Sequence, residues 1–196
     1  MLTIVSDVHG KYSEFVKIAR QHQFVVQLGD FGFCYKCLRD NNLDHVFIVG
    51  GNHENQPELE KIPNYLGNFG ERELNGVKFF FIRGAYSIDK FYRKIGIDWF
   101  PNEELNFTEA NECISEYNRV RPDIVLSHDC PNFVIRDCMK KDYVFSQTQR
   151  LLGGLWRVHQ PKLWVFAHWH ASMTFQVART KFVCLNELET LEIGNE

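Results

Sequence analysis

Short apolar runs recur along this chain, and most of them end in a small group of polar residues. Residues 2–5 (Leu-Thr-Ile-Val), 24–28 and 46–49 are brief and rich in β-branched side chains, the pattern of buried strands. Between the first two, residues 13–22 set Phe15, Ile18 and Ala19 on one face at helical spacing. Strand, helix, strand at this spacing predicts βαβ units and a parallel sheet. In such a sheet, ligands bind at the carboxyl ends of the strands, where the polar groups of this chain lie.

The middle of the chain reads differently. Leu74-Asn75-Gly76-Val77 predicts a hairpin, because Asn-Gly accepts the positive φ angles of a type I′ turn. Residues 77–82 form the strand that follows, and residues 87–101 read as loops. A helix over 109–120 is closed by Pro122, and a buried strand over 123–127 ends at His128. Residues 147–159 predict another helix, although Gly153-Gly154 lies inside it. A strand over 163–167 ends at His168, and residues 174–178 and 181–185 form an antiparallel pair about Arg179-Thr180. With no repeat, low-complexity tract or linker, the expectation is a single domain over residues 1–196.

Composition narrows the class. Hydrophobic residues make up 44% and charged residues 24% of 196, the balance of an ordinary globular protein rather than a disordered or fibrous one. The 22 basic and 25 acidic residues leave a net charge of −3, which argues against an extended nucleic-acid surface or an anionic-membrane surface. A nucleotide held in a local site is compatible with it. No apolar run approaches the roughly 20 residues of a membrane span, and the N-terminal MLTIVSDVHG lacks a secretion leader. Six scattered cysteines then read as free thiols in a reducing compartment, so a cytoplasmic location is expected. Cys34-Tyr35-Lys36-Cys37 has the spacing of a metal knuckle, but no second pair accompanies it.

Five polar groups follow apolar runs: Asp7-Val8-His9, Gly29-Asp30, Gly51-Asn52-His53-Glu54, Ser127-His128-Asp129 and His168-Trp169-His170. They offer carboxylate, imidazole and amide oxygen, a donor set that suits Mn²⁺, Fe or Zn²⁺. Alternate residues of an extended segment point to opposite sides, so Asp7/His9 and His168/His170 can converge only where a strand breaks into a turn. The remaining histidines, His22, His45 and His159, read as structural, each paired with a backbone carbonyl.

These five motifs, in this order from Asp7 to His170, resemble the calcineurin-like metallophosphoesterases. The stretch Gly84-Ala85-Tyr86-Ser87-Ile88-Asp89-Lys90, with Trp99-Phe100-Pro101 after it, further resembles small bacterial and phage members. The resemblance implies an α/β fold of two packed mixed β-sheets flanked by helices, a four-layer αββα sandwich with a two-metal site at one end. It implies two divalent ions, manganese foremost, with iron, zinc or nickel as alternatives. Asp7, His9 and His170 would hold one ion and Asn52, His128 and His168 the other. Asp30 would bridge them together with a water or hydroxide that attacks phosphorus. His53 would protonate the leaving group, and Asp129 would orient a ligand imidazole from outside.

The departures from the family pattern bear on substrate. Protein Ser/Thr phosphatases follow this Asp with Arg-Gly and carry another Arg after Asn-His-Glu. Here Phe31-Gly32 follows Asp30 and Asn55-Gln56-Pro57 follows Glu54. A nucleotide-type phosphodiesterase or phosphatase, acting on nucleotides or cyclic nucleotides, is therefore expected ahead of a Ser/Thr phosphatase-like phage enzyme. A non-catalytic metal-binding scaffold is the rival from another class. Ala167 stands where Gly usually opens the last motif. Arg93 and Arg83 are candidates to grip phosphate, and Trp169 to stack a base, the ordinary alternatives being a solvated loop and core packing.

Overall fold

The computed structural model describes residues 1–141 and 146–194. Two sheets lie face to face. One has the order β10-β1-β2-β3, built from β1 (Leu2–Val5), β2 (Val25–Gln27), β3 (Val46–Ile48) and β10 (Thr190–Ile193). The other has the order β4-β5-β6-β7-β9-β8, from β4 (Phe69–Leu74), β5 (Val77–Ile82), β6 (Ile124–Ser127), β7 (Leu163–Phe166), β8 (Met173–Val177) and β9 (Thr180–Cys184). β1, β2 and β3 are parallel, as are β5, β6, β7 and β9, while β10, β4 and β8 run antiparallel at the edges. Both sheets are thus mixed, as expected from the resemblance.

Side-chain alternation sorts the residues into layers. Leu2, Ile4, Val26, Val77, Phe79, Phe81, Leu126 and Val165 fill the space between the sheets. On the outer face of the first sheet, Val5, Val25, Val46 and Ile48 pack on α1 (Tyr12–Ala19), α2 (Lys36–Asp40) and α3 (Gln56–Leu59) through Phe15, Leu38 and Leu59. On the outer face of the second, Phe80, Val125, Trp164 and Phe166 pack on α4 (Phe107–Val120) and α5 (Gln147–Val158) through Tyr117, Leu152 and Leu155. Three apolar seams between four layers follow, each fully buried large side chain contributing about 1.5–3 kcal/mol.

Local chemistry explains where the elements stop. Asn75 and Gly76 take φ of 51° and 76°, the turn that the Asn-Gly pair predicted. Asn106 caps α4 in a reciprocal capping box with Glu109, which starts the helix two residues before the expected boundary at 109. Gly153 sits inside α5 because a Cβ there would come within 2.9 Å of Asn132 Oδ1, so the loop after β6 presses directly on the helix. The second hairpin turns on Ala178 and Arg179 rather than on Arg179 and Thr180. Thr180 begins β9, buried, with its hydroxyl donating to the Pro161 carbonyl. β10, α2 and α3 and a π-helical turn over Val134–Met139 went unforeseen; each is six residues or shorter, too brief for a periodic signal. No helix among the described residues is long and apolar enough to cross a membrane.

Candidate metal centre

All five polar motifs meet at one end of the sandwich, beyond the carboxyl ends of β1, β2, β3, β6 and β7. The convergence of alternate residues has a backbone cause. His9, Asp30, His168 and His170 adopt left-handed φ of 47°, 54°, 65° and 46°. Each reverses the chain where a strand ends, so that His9 turns back toward Asp7 and His170 lies beside His9. A left-handed residue other than glycine costs of order 1–3 kcal/mol, and four in one place mark a site held by its surroundings. Those surroundings are visible: the Val8 and His9 amides both donate to the Asp30 carbonyl, at 3.0 and 2.8 Å, and the His168 amide donates to the Asp7 carboxylate at 3.2 Å.

Two groups of side chains could each hold a cation. The donor atoms of Asp7, His9 and His170 lie within 4.8 Å of one another, as do those of Asp30, His128 and His168. In the first group, His9 Nε2 and His170 Nε2 are 2.9 Å apart, and Asp7 Oδ1 is 3.9 and 3.7 Å from them. In the second, His128 Nε2 is 3.2 Å from Asp30 Oδ1 and 3.1 Å from Asn52 Oδ1. Asp30 joins the groups, because its other oxygen, Oδ2, lies 3.7 Å from His9 Nε2 and 3.8 Å from His53 Nε2.

The outer partners aim these donors. His128 Nδ1 pairs with the Leu28 carbonyl at 2.5 Å, which leaves Nε2 facing inward. The Asn52 amide donates to Ser87 Oγ at 3.0 Å, so its oxygen is the atom presented to His128. Ser87 in turn donates to Glu103 Oε2 at 2.6 Å, and Trp99 Nε1 donates to the same oxygen at 2.8 Å. Glu54 accepts from the Phe31 amide and the Tyr35 hydroxyl, at 2.9 and 2.6 Å, and so pins the loop that carries Asp30.

Two buried carboxylates and several imidazoles crowd together here. Burial raises the Asp7 carboxyl to about 6 against the pull of His128. Burial acts the same way on Asp30, but the charge and hydrogen bond of His128, helped by His53, outweigh it and hold Asp30 well below the usual range. Burial would lower His128, yet Asp30 raises it to about 10, while burial and the nearby His128 depress His168 to about 4. These opposite shifts favour the imidazolium form at His128 and the neutral ring at His168. A buried carboxylate pair facing convergent imidazole and amide donors fits divalent cations in its donor chemistry.

Not every expected residue belongs to this cluster. Arg83 does not reach it: the side chain is buried, with Nε donating to Asn68 Oδ1 at 2.6 Å and a terminal nitrogen to the Asn102 carbonyl at 2.7 Å. It ties the end of β5 to neighbouring loops, away from the cluster. Asp129 does not orient an imidazole either. It accepts from Trp169 Nε1 at 2.9 Å, the Cys130 amide at 2.7 Å and Gln149 Nε2 at 3.0 Å. Arg93 does approach, with one terminal nitrogen 3.3 Å from His53 Nε2 and 2.6 Å from Asp89 Oδ2. Trp169 lines a cavity of about 580 Å³ beside the cluster, with Asn52, His53, Tyr86, Gln149 and His168 among its walls.

The three structural histidines lie elsewhere. His45 and His159 each meet a backbone carbonyl at 3.0 Å, as expected, whereas His22 lies 3.6 Å from Glu192. The six cysteines are all free. Ser87 stood inside a stretch already singled out by resemblance. Glu103 and Gln149 carried no signal, since one polar residue on a loop or helix reads as solvated.

The comparisons with known proteins agree with this geometry. A sequence model of the calcineurin-like phosphoesterases matches residues 1–172. The chain belongs to that family, and phosphoric ester hydrolysis is its reaction class. No curated protein matches it in sequence. Among solved structures, a Thermus thermophilus protein superposes with a TM-score of 0.54 at 14% identity, over 95% of this chain and 89% of that one. A Staphylococcus aureus protein named for a predicted 5′-nucleotidase activity, in complex with alpha-ketoglutarate, gives 0.59 at 13%, over 95% and 48%. GAP50 of Plasmodium, named as the anchor in the inner membrane complex, gives 0.51 at 13%, over 94% and 71%. These likenesses establish a shared fold.

Proposed function

We propose that this chain hydrolyses nucleotide-type phosphate mono- or diesters with two divalent ions, manganese foremost. One observation carries the reading: Asp30 directs one carboxylate oxygen at each of two ligand groups, and each group draws on both halves of the chain. Asp7, His9 and His170 would hold one ion, Asn52, His128 and His168 the other, and Asp30 both. When bound, such ions polarise phosphoryl oxygens and ionise water.

The chain's own residues do the rest. His53 is half-buried at the mouth of the cluster; its Nε2 faces the donor-only Arg93 fork, and once protonated and turned from that fork it gives its proton to the departing oxygen. Burial lowers its pKa, and the neighbouring Arg93 cation lowers it further against the opposing charge of Asp30. An arriving phosphoester anion screens that cation, so the proton becomes easier to hold when it is needed. Arg93 keeps its fork beside His53 through Asp89 and the Asp98 carbonyl, and offers positive charge to the phosphoryl group. That role substitutes for the arginines whose absence argues against a protein phosphatase. The name of the Staphylococcus aureus relative favours a nucleotide substrate.

Purified protein given Mn²⁺ is expected to hydrolyse an aryl phosphate monoester or diester. Inactivity on both, across manganese, iron, zinc and nickel, would refute the reading and leave a metal-binding scaffold in its place.

A further inference from the structure

Gln149 occupies an unusual position on the wall of the cavity. It lies in the first turn of α5, where its backbone amide donates to the capping hydroxyl of Ser146 at 3.0 Å. Its side-chain NH₂ donates to Asp129 Oδ2, an atom that can only accept, which settles which end of the amide is nitrogen. Asp129 itself is buried and held by the Cys130 amide and by Trp169 Nε1. The carbonyl oxygen of Gln149 therefore points the other way. It is buried and has no hydrogen-bond partner among the described residues, and the Gln149 residue that carries it stands in the cavity wall. A buried acceptor left unpaired is costly, and structures retain such groups where something else satisfies them.

The cavity is the one beside His53, with Tyr86 and Trp169 among its walls, and its 580 Å³ accommodates a nucleoside-sized group. An acceptor next to aromatic walls selects a flat group that carries an N–H donor. We propose that Gln149 is a specificity residue and that the substrate's organic part is a heteroaromatic ring bearing an exocyclic amino group, as adenine does. This rests on the phosphoesterase reading and extends it to the part of the substrate that does not react. The Asp129 carboxylate acts through Gln149 and Trp169, as a positioning group for the cavity wall.

The test compares two ligands that differ by that amino group alone. Adenosine 5′-phosphorothioate and purine-riboside 5′-phosphorothioate, both slow to hydrolyse, are titrated calorimetrically into the Mn²⁺-supplemented protein. The wild-type protein is expected to bind the adenosine compound about ten-fold more tightly, the worth of one well-made hydrogen bond. Gln149→Leu is expected to bind the two alike. Equal affinities in the wild type, or no measurable binding of either compound, would overturn the proposal whatever the variant does. So would a preference that survives in Gln149→Leu. Hydrolysis of bis(p-nitrophenyl) phosphate by the same preparation separates the two levels: activity with equal affinities removes only the Gln149 assignment. Inactivity with a ten-fold preference removes the hydrolase reading and leaves the cavity assignment standing.

Discussion

Replacing Gly51 with alanine tests whether the cluster is as tightly assembled as the geometry requires. Gly51 needs no special backbone angle; its constraint is space. A Cβ there would collide with Asp30 Oδ1 and with the Asp30 backbone nitrogen, and would lie 3.0 Å from His128 Nε2. None of these atoms can retreat cheaply. Asp30 Oδ1 accepts from the His53 amide at 2.8 Å, and the His128 ring is fixed from behind by the Leu28 carbonyl. Forcing one carbon into such a packed place costs about 1–3 kcal/mol. At roughly 2–4 °C per kcal/mol for a chain of this length, the melting temperature of the metal-free protein should fall by roughly 2–12 °C. The larger effect falls on function, since a shift of ~1 Å in a reacting group costs of order 100-fold in rate. Gly51→Ala is expected to copurify with less than its full complement of manganese and to lose about that factor in aryl ester hydrolysis. A variant with wild-type metal content and turnover would refute the reasoning, because Asp30 and His128 could not then pack against Gly51 in the working protein.

Two further outcomes follow from the same geometry. His53→Ala should slow esters with poor leaving groups by about 10²–10⁴-fold while barely affecting p-nitrophenyl esters, whose departing oxygen needs no proton; equal losses on both would remove the acid role. Metal-free His128 keeps its proton up to about pH 10 because Asp30's charge and hydrogen bond overcome burial, so an ion taking its Nε2 must expel that proton. Apparent affinity at that position should therefore rise about ten-fold per pH unit below pH 10. Calorimetry in buffers of different ionisation enthalpy should show about one proton released near pH 8, and about half a proton more near pH 6, where burial keeps Asp7 partly protonated; no release would contradict the assignment.

Much of this was legible in the chain because burial on both faces writes strands as plain apolar runs. β1, β5, β6 and β7 lie within one residue of the expected ends, and the polar groups after β1, β6 and β7 face the cluster. What escaped was set by tertiary contact. The fate of Arg83 depended on Asn68 and on a loop carbonyl at Asn102, and nothing in the local sequence distinguishes it from Arg93, ten positions on. Asp129 follows a candidate ligand histidine and so reads as a partner for an imidazole, yet the Leu28 carbonyl takes the outer nitrogen of His128. The exchange left Asp129 to the cavity wall. Gln149 gained its position from a helix cap and a carboxylate twenty residues upstream.

The central claim is that two ions sit side by side, and anomalous diffraction from crystals grown with manganese tests it most directly. Two peaks are expected, one among Asp7, His9 and His170 and one among Asn52, His128 and His168, with Asp30 touching both. A lone peak, or none at these side chains, would contradict the account.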